Sequence, residues 1–322
     1  MAAILSVANL HVTYRRAGAH IESLREVSLD VEAGECVGIV GESGSGKSQL
    51  CLAIMGLLPA DAHLGGSIRF ADEQWLSAPR ERLERVRGAK LAMVFQDPLS
   101  ALTPHLKIGV QMGEVLVNHR GVSWTVARAA ALAMLSRVGI ADPARCLDQY
   151  PHQLSGGMRQ RVMIGMGLLC EPQLLIADEP TTSLDVSVQA QVLDLLAKMR
   201  RDFRMAILLV SHDLAVVAGL AERIIVMYAG RVVENARARD LFDRPRHPYT
   251  QALMRCAPEL GGPLLARLPT LPGQPPSAGE RLEGCEFAPR CAYATEHCRR
   301  HRPALEPLED GRLVACHAAR PA

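Results

Sequence analysis

The stretch Gly41-Glu-Ser-Gly-Ser-Gly-Lys-Ser48 decides how this chain is interpreted. It follows a buried-strand pattern at 35–41 and precedes a helical pattern at 47–58, which is the context that a phosphate-binding loop (P-loop) requires. Its glycines let consecutive backbone N–H groups turn inward around phosphate oxygens, and the helix directs its positive end at the same anion. One of only four lysines in the chain stands in this loop, so an ordinary glycine turn explains the pattern poorly.

This loop supplies most of the predicted nucleotide contacts. Lys47 is predicted to reach the β- and γ-phosphates, and the Ser48 hydroxyl to bind Mg²⁺. The remaining residues of the predicted cradle are Gly41, Ser43, Gly44, Ser45 and Gly46. ATP and Mg²⁺ are therefore the expected cofactors.

Two other buried-strand patterns end in polar side chains. The apolar run 174–177 ends in Asp178 and Glu179, and successive strand residues point to opposite faces, so the two acids can take different roles. Asp178 is predicted to hold Mg²⁺ through its water, and Glu179 to act as general base on the attacking water. The run 206–210 leads to His212, and a lone histidine at a strand end is more often structural than catalytic.

Strand and helix patterns alternate over the first 240 residues, which favours an α/β fold with a mainly parallel sheet covered by helices. Buried strands are predicted at 35–41, 91–95, 174–177 and 206–210, and helices at 47–58, 124–138, 156–169 and 187–202. Residues 4–14 and 25–32 alternate apolar and polar positions and predict half-exposed antiparallel strands. Residues 97–155 predict a helical insertion.

Composition disfavours several classes of protein. A net charge of +2 and 4% aromatic residues argue against a nucleic-acid partner. No apolar run approaches the ~18 residues of a membrane span, and the first residues do not resemble a secretory signal. Any membrane association is therefore expected to come through a partner.

The composition changes after residue 243. Twelve of the 20 prolines fall within 244–322, and the run 268–276 predicts a linker with polyproline character. We therefore expect two domains, 1–243 and 244–322.

Four of the nine cysteines crowd into the second predicted domain: Cys285, Cys291, Cys298 and Cys316. Four thiols close together in a cytosolic chain seldom form disulfides, and the short segment has too few large apolar residues for its own core. Their spacings are wider than the Cys-x₂₋₄-Cys of zinc modules. A [4Fe–4S] cluster is therefore favoured, with zinc or free thiols as alternatives.

The segment Gln153-Leu-Ser-Gly-Gly-Met-Arg-Gln-Arg161 resembles the signature motif of ATP-binding cassette (ABC) ATPases. Ser155 offers a hydroxyl, and Gly156 and Gly157 let backbone N–H groups approach an anion at a helix N-terminus, although alone the motif would be an ordinary helix cap. One chain needs only one phosphate cradle for its nucleotide. The resemblance therefore implies that two cassettes face head to tail and complete each other's sites. Met158 stands where most cassettes have glutamine, with little effect expected on hydrolysis.

The resemblance extends over residues 4–240 and implies a P-loop (RecA-like) ABC ATPase core, an antiparallel β subdomain and a helical subdomain at about 97–155. The further positions it matches are Tyr14 stacking on adenine, Gln96 as the Q-loop glutamine linking Mg²⁺ and water to the helical subdomain, Ser183-Leu184-Asp185 as the D-loop, and His212 as the switch histidine.

The C-terminal segment narrows the resemblance. Residues 244–253, 271–276 and the four cysteines resemble the extension of dipeptide/oligopeptide/nickel importer ATPases, and the D-type ATPase of dipeptide permeases is most similar. This implies a peripheral ATPase on the cytoplasmic face of the inner membrane. The implied partners are a non-identical second ATPase, two permease subunits and, indirectly, an extracytoplasmic peptide-binding protein. Related ATPases can carry an iron–sulfur cluster in the extension.

Two other functions compete with peptide import. A soluble cassette ATPase of DNA repair or translation would have tandem cassettes or long coiled coils, whereas this chain has one cassette and no heptad run. A regulatory cassette that binds ATP without cleaving it is disfavoured by the presence of Glu179 and His212. The cargo stays open among dipeptides, longer peptides and nickel chelates.

Overall fold

The computed structural model describes residues 3–16, 19–182, 184–256, 271–277, 280 and 282–319. Ser183 of the predicted D-loop and residues 268–270 of the predicted linker lie outside the described residues. The chain divides into two compact units. The first comprises Met1–Ile4, Val31–Glu35 and Ser77–Leu209, and the second comprises Leu5–Asp30, Cys36–Leu76 and Val210–Ala322.

The described residues form twelve strands, twelve α-helices and two short 3₁₀ helices. The strands are β1 Ala3–Arg16, β2 Ala19–Glu32, β3 Cys36–Val40, β4 Ala62–Phe70, β5 Glu73–Gln74, β6 Leu91–Val94, β7 Leu174–Asp178, β8 Ala206–Ser211, β9 Arg223–Tyr228, β10 Arg231–Arg237, β11 Glu306–Pro307 and β12 Leu313–Val314. The α-helices are α1 Lys47–Met55, α2 Arg80–Val86, α3 Pro98–Ala101, α4 Ile108–Arg120, α5 Trp124–Arg137, α6 Pro143–Asp148, α7 Gly156–Leu168, α8 Val186–Phe203, α9 Leu214–Ala218, α10 Ala238–Asp243, α11 Pro248–Cys256 and α12 Glu296–Arg300. The 3₁₀ helices are Pro151–Gln153 and Ala288–Arg290.

The first unit combines parallel strands with the predicted helical insertion. Its strands follow the order β8-β7-β6, and β6 pairs with β7 in parallel with Leu91 opposite Leu174. Every residue of β7 is buried. This is typical of a parallel sheet, whose strands are covered on both faces and are therefore continuously apolar. Helices α3 to α6 occupy the chain between β6 and α7, which confirms the helical character predicted for 97–155.

The second unit contains an antiparallel sheet of order β2-β1-β4-β5 and five strands of order β11-β12-β10-β9-β3. Strand β3 runs parallel to β9, and β9 forms a hairpin with β10 through Ala229 and Gly230. Both turn residues have positive φ, 46° and 79°, as a tight two-residue hairpin turn requires. The C-terminal segment contributes β12, which pairs with β10 by placing Val314 opposite Glu234. The sequence did not predict this strand addition.

Most predicted elements agree with the structure to within two residues, and two boundaries differ by more. Helix α1 ends at Met55 rather than 58 because Gly56 adopts a left-handed φ of 62° and its N–H caps the Ala53 carbonyl. Strand β2 begins at Ala19 rather than 25. Among the described residues, we find no helix with both the length and the apolar character to span a bilayer.

Candidate nucleotide-binding and catalytic site

The P-loop connects β3 to α1 within the second unit. Gly46, with φ of 100°, is the N-cap of α1 and makes no side-chain capping bond, so no capping side chain covers the first helical N–H groups. Gly41 is required for close approach, because a Cβ there would lie 2.2 Å from the Met227 carbonyl oxygen. Ser43 and Gly44 are exposed. This geometry suits an anion at the start of α1.

Lys47 is buried, with 5% of its surface exposed, and lies inside the loop. Its Nζ donates to the carbonyl oxygens of Gly41 at 2.7 Å and Glu42 at 3.0 Å. These bonds hold the ammonium against the loop backbone. Ser48 follows in the first turn of α1 and is partly exposed.

The loop residue Glu42 makes contacts that the sequence analysis missed. Its backbone N–H donates to Tyr249 Oη at 2.8 Å, and its carboxylate accepts from two nitrogens of Arg290 at 2.6 and 3.0 Å. No sequence pattern indicated these partners, because they lie 207 and 248 positions away. The P-loop is therefore fixed from outside by the C-terminal segment.

Tyr14 is placed on β1, also in the second unit. It is 9% exposed, and its hydroxyl donates to Gln49 Oε1 on α1. This bond connects the antiparallel sheet to the helix that follows the P-loop. Stacking of Tyr14 on adenine stays a prediction.

The predicted catalytic acids lie in the first unit, at the carboxyl end of β7. Asp178 is 5% exposed, whereas Glu179 is partly exposed and has φ of 47°. Glu179 Oε2 accepts from Gln96 Nε2 at 3.1 Å and from Thr182 Oγ1 at 2.8 Å. The structure thus brings the predicted Q-loop glutamine to the predicted general base. Thr182 is an additional orienting group that the sequence analysis did not select.

The signature segment begins α7 in the same unit. Ser155 Oγ accepts from the Met158 N–H at 3.3 Å, so the serine caps its own helix. Ser155 and Gly156 are nevertheless exposed, and a Cβ on Gly156 would meet only Leu184, at 4.0 Å. The exposed Asp185 caps α8 by accepting from Val188 N–H at 2.9 Å. Ser155, Gly156 and Asp185 are thus accessible on this unit.

His212 follows β8 and belongs to the second unit. The residue is exposed. The neighbouring backbone is held on both sides: the Asp213 N–H donates to Ser211 Oγ at 3.0 Å, and Asp213 caps α9 through Ala215 N–H at 2.8 Å. The histidine therefore stands at a fixed strand-to-helix junction.

The four C-terminal cysteines line one small cavity of about 20 Å³. The Cys285 N–H donates to the Cys298 carbonyl oxygen at 2.8 Å, and a Cβ on Gly284 would lie 2.2 Å from that oxygen. Burial raises the pKa of Cys285 to about 11 and also raises the pKa of Cys291 and Cys316, so without a metal these thiols are protonated. Partly buried thiols, one of them (Cys298) in α12 and the others on irregular segments, are a suitable donor set for thiophilic metals.

No group of three or more His, Cys, Asp or Glu side chains in the described part of the chain is arranged to hold a metal ion. Neither the predicted [4Fe–4S] cluster nor its zinc alternative is therefore seen as a formed metal site there. All nine cysteines are free thiols in the structure.

Three local features are typical of a P-loop ATPase of the cassette class. They are the phosphate loop before α1, the acidic end of β7 and the signature segment that begins α7. The family model for ABC transporters matches residues 24–182, and the model for the oligopeptide/dipeptide transporter C-terminal region matches residues 233–298.

Relatives match over nearly the whole chain. The oligopeptide transport ATP-binding protein OppD of Salmonella typhimurium is 45% identical over 97% of this chain and 93% of its own length. The dipeptide transport ATP-binding protein DppD of Escherichia coli is 47% identical over 98% of this chain and 96% of its own length. A solved dimeric ATP-binding cassette bound to ADP and Pi matches with a TM-score of 0.66 and 30% identity, over 73% of this chain and 99% of that one.

The chain belongs to the ABC transporter ATPases of the oligopeptide/dipeptide transporter family. It is an ATP-binding protein whose family hydrolyses ATP.

Proposed function

We propose that this chain is the energy-coupling ATPase subunit of an importer for dipeptides or oligopeptides. The observation that carries the proposal is identity of 45–47% to peptide-transport ATP-binding proteins over at least 97% of the chain. A match to the C-terminal region of such transporters supports it independently of the ATPase core. The subunit would work on the cytoplasmic face of the inner membrane, bound to two permease subunits and served by an extracytoplasmic peptide-binding protein.

Labelled-peptide uptake by the reconstituted transporter tests this function. The expected result is ATP-dependent uptake of a dipeptide or a longer peptide. Uptake of a nickel chelate but of no peptide would show that the cargo is a nickel chelate, and the proposed ATPase role would remain. A complex that hydrolyses ATP but moves neither cargo would contradict the transport function.

We propose a division of labour among the predicted site residues, and the local geometry of each unit supports it. Lys47 and the loop N–H groups would hold the β- and γ-phosphates, and Ser48 and Asp178 would hold Mg²⁺. When bound, Mg²⁺ would neutralise phosphate charge. Glu179 would accept the proton of the attacking water, and its bonds from Gln96 and Thr182 support this role by orienting the carboxylate.

His212 would sense the γ-phosphate. Tyr14 would contact the adenine base. Both roles rest on the family to which the chain belongs.

We infer a composite site shared between two cassettes, with Ser155, Gly156, Gly157 and Asp185 facing the P-loop of a partner. Exposure of Ser155, Gly156 and Asp185 supports this arrangement, as does the dimeric state of a cassette with a similar fold. The partner would be a non-identical relative. ATP binding would close the pair and hydrolysis would reopen it, which would pass motion to the permeases.

The composite site predicts that turnover depends on protein concentration. Diluting the isolated chain is expected to lower its specific ATPase activity, because the fraction of paired cassettes falls with concentration. Steady-state assays over a dilution series, with the assembled transporter as control, measure this. Strong activity of the isolated chain that is unchanged at high dilution would exclude a shared site.

We propose that the four-cysteine segment holds a [4Fe–4S] cluster. The convergence of four thiols on one cavity supports a site, and the spacing of the four cysteines, wider than in zinc modules, favours a cluster over zinc. A cluster carries its own volume and keeps its four thiolates further apart than one zinc ion does. The cluster would cross-link and so stabilise residues 285–316, which bury few apolar side chains of their own.

Metal and sulfide analysis tests the cluster. Anaerobically purified protein is expected to contain four iron and four sulfide per chain, as that cluster type requires. Replacing Cys291 by serine should reduce both, whereas replacing Cys256, which does not line the cavity, should change neither. Stoichiometric zinc without sulfide, or metal-free protein with four titratable thiols in this segment, would overturn the proposal.

A further inference from the structure

One arginine connects the four-cysteine segment to the P-loop within the second unit. Arg290 ends the 3₁₀ helix Ala288–Arg290 and directly precedes Cys291. Its two terminal nitrogens donate to the Glu42 carboxylate at 2.6 and 3.0 Å, and its Nε donates to the Pro272 carbonyl oxygen at 2.9 Å. The Arg290 side chain is only 3% exposed. Such a two-point pair fixes both the position and the orientation of the carboxylate.

A second residue of the C-terminal segment holds the backbone of the same loop residue. The Glu42 N–H donates to Oη of the fully buried Tyr249 at 2.8 Å. The Tyr249 ring packs against Tyr228 and Phe287, with ring centroids 4.6 and 5.4 Å away. Tyr228 Oη in turn accepts from Arg290 at 3.2 Å. Side chain and backbone of Glu42 are thus fixed by one connected cluster.

The charge of Glu42 makes this contact relevant to nucleotide binding. Glu42 is part of the loop, and its carbonyl oxygen accepts from Lys47 Nζ at 3.0 Å. A carboxylate beside a bound triphosphate repels it unless a cation neutralises the carboxylate. Arg290 supplies that cation and directs the carboxylate toward itself.

Two of the four cysteines are hydrogen-bonded through their backbones to the turn that carries Arg290. The Cys285 carbonyl accepts from the Ala288 N–H at 3.0 Å, and the Cys291 N–H donates to the Ala288 carbonyl at 3.3 Å. Both cysteines line the four-thiol cavity. The backbones of both cysteines are therefore part of this turn, so a displacement of their side chains is expected to displace the turn as well.

We propose that Arg290 and Tyr249 are positioning residues for the P-loop, and that through them the four-cysteine segment sets the affinity of the site for ATP. This inference rests on the ATPase role proposed above and adds a form of regulation to it. It requires only that a change in the positions of the four thiols alters the position of Arg290, whatever the thiols bind.

The first test replaces Arg290 by glutamine in the assembled transporter. KM for ATP is expected to rise about tenfold, because Glu42 keeps an uncompensated charge, while kcat changes less than about twofold since Arg290 touches no reacting atom. Equilibrium binding of a fluorescent ATP analogue should weaken by the same factor. Arg302→Gln is the matched control, because it breaks a 2.9 Å ion pair to Glu286 in the same segment. Among the described residues Arg302 makes no hydrogen bond or ion pair to the P-loop, so this variant should leave KM unchanged.

Rescue distinguishes positioning from mere structural support. Adding Glu42→Gln to Arg290→Gln removes the uncompensated charge and is expected to return KM to within about threefold of wild type. Tyr249→Phe should raise KM without changing kcat. A double variant as impaired as Arg290→Gln alone would reject the charge argument.

Coupling to the thiols is tested by non-additivity. Cys291→Ser is expected to raise KM for ATP in the wild-type background but to add less than about twofold in the Arg290→Gln background. Cys256→Ser, outside the cavity, should have no effect in either background. Unchanged nucleotide affinity in Arg290→Gln would overturn the inference while leaving the ATPase function intact. Failure of the wild-type complex to hydrolyse ATP would instead reject the proposed function.

Discussion

Replacing Glu179 by glutamine is expected to lower ATP hydrolysis by about 10²–10⁴-fold, the usual contribution of a general base. Glutamine keeps the shape of the side chain and can still bond to Gln96 and Thr182, but it cannot take a proton from water. ATP binding should therefore persist. Because the closed cassette pair opens only after hydrolysis in the proposed cycle, the variant should accumulate as a closed dimer with ATP bound.

Single-turnover hydrolysis and analytical ultracentrifugation measure the two halves of this expectation. Asp194→Asn is a matched control, since Asp194 is an exposed carboxylate on α8 away from the strand end. Hydrolysis by Glu179→Gln at the wild-type rate would show that another group is the base. Loss of ATP binding would show that Glu179 is needed to bind ATP rather than to hydrolyse it.

Replacing Lys47 by alanine is expected to abolish hydrolysis through a different defect. Lys47 would donate charge-assisted bonds to the β- and γ-phosphates, and the loss of both is expected to weaken ATP binding by about 10²-fold or more. No closed dimer should form. The two variants thus differ in kind: Glu179→Gln binds and does not cleave, whereas Lys47→Ala does not bind.

Equilibrium nucleotide binding and thermal unfolding check the lysine variant. Its Nζ also bonds to the carbonyls of Gly41 and Glu42, so unfolding curves are needed to show that the loop remains folded. Lys198→Ala removes an exposed lysine of α8 and should leave binding unchanged. Wild-type ATP affinity in a folded Lys47→Ala protein would contradict the assignment of the phosphate loop.

Local patterns explain what the sequence could predict. The P-loop, the acidic end of β7 and the helix-capping Ser155 are each encoded within about ten consecutive residues, with the secondary structure on either side readable from apolar periodicity. The grouping of four cysteines was likewise visible in their spacing. Their convergence on one cavity agrees with that grouping.

Long-range contacts explain what the sequence could not predict. The pairing of β12 with β10 involves a two-residue strand, too short to show alternation. The contacts of Glu42 with Tyr249 and Arg290 join residues more than 200 positions apart, and the resemblance of residues 244–253 assigned no role to Tyr249. The contact of Gln96 with Glu179 was expected only in outline, from resemblance to a family. Thr182 needed the folded turn to be recognised.

Peptide uptake into proteoliposomes tests the central claim most directly. The complete transporter is reconstituted with ATP·Mg²⁺ on the side of this subunit and the peptide-binding protein on the other side. A labelled dipeptide or oligopeptide is added on the side of the binding protein. The account predicts accumulation that requires hydrolysable ATP and that Glu179→Gln in this chain reduces at least about 10²-fold, in step with its loss of hydrolysis. Peptide accumulation that persists with the Glu179→Gln subunit would contradict the account. So would ATP turnover by the wild-type transporter that is the same with and without peptide.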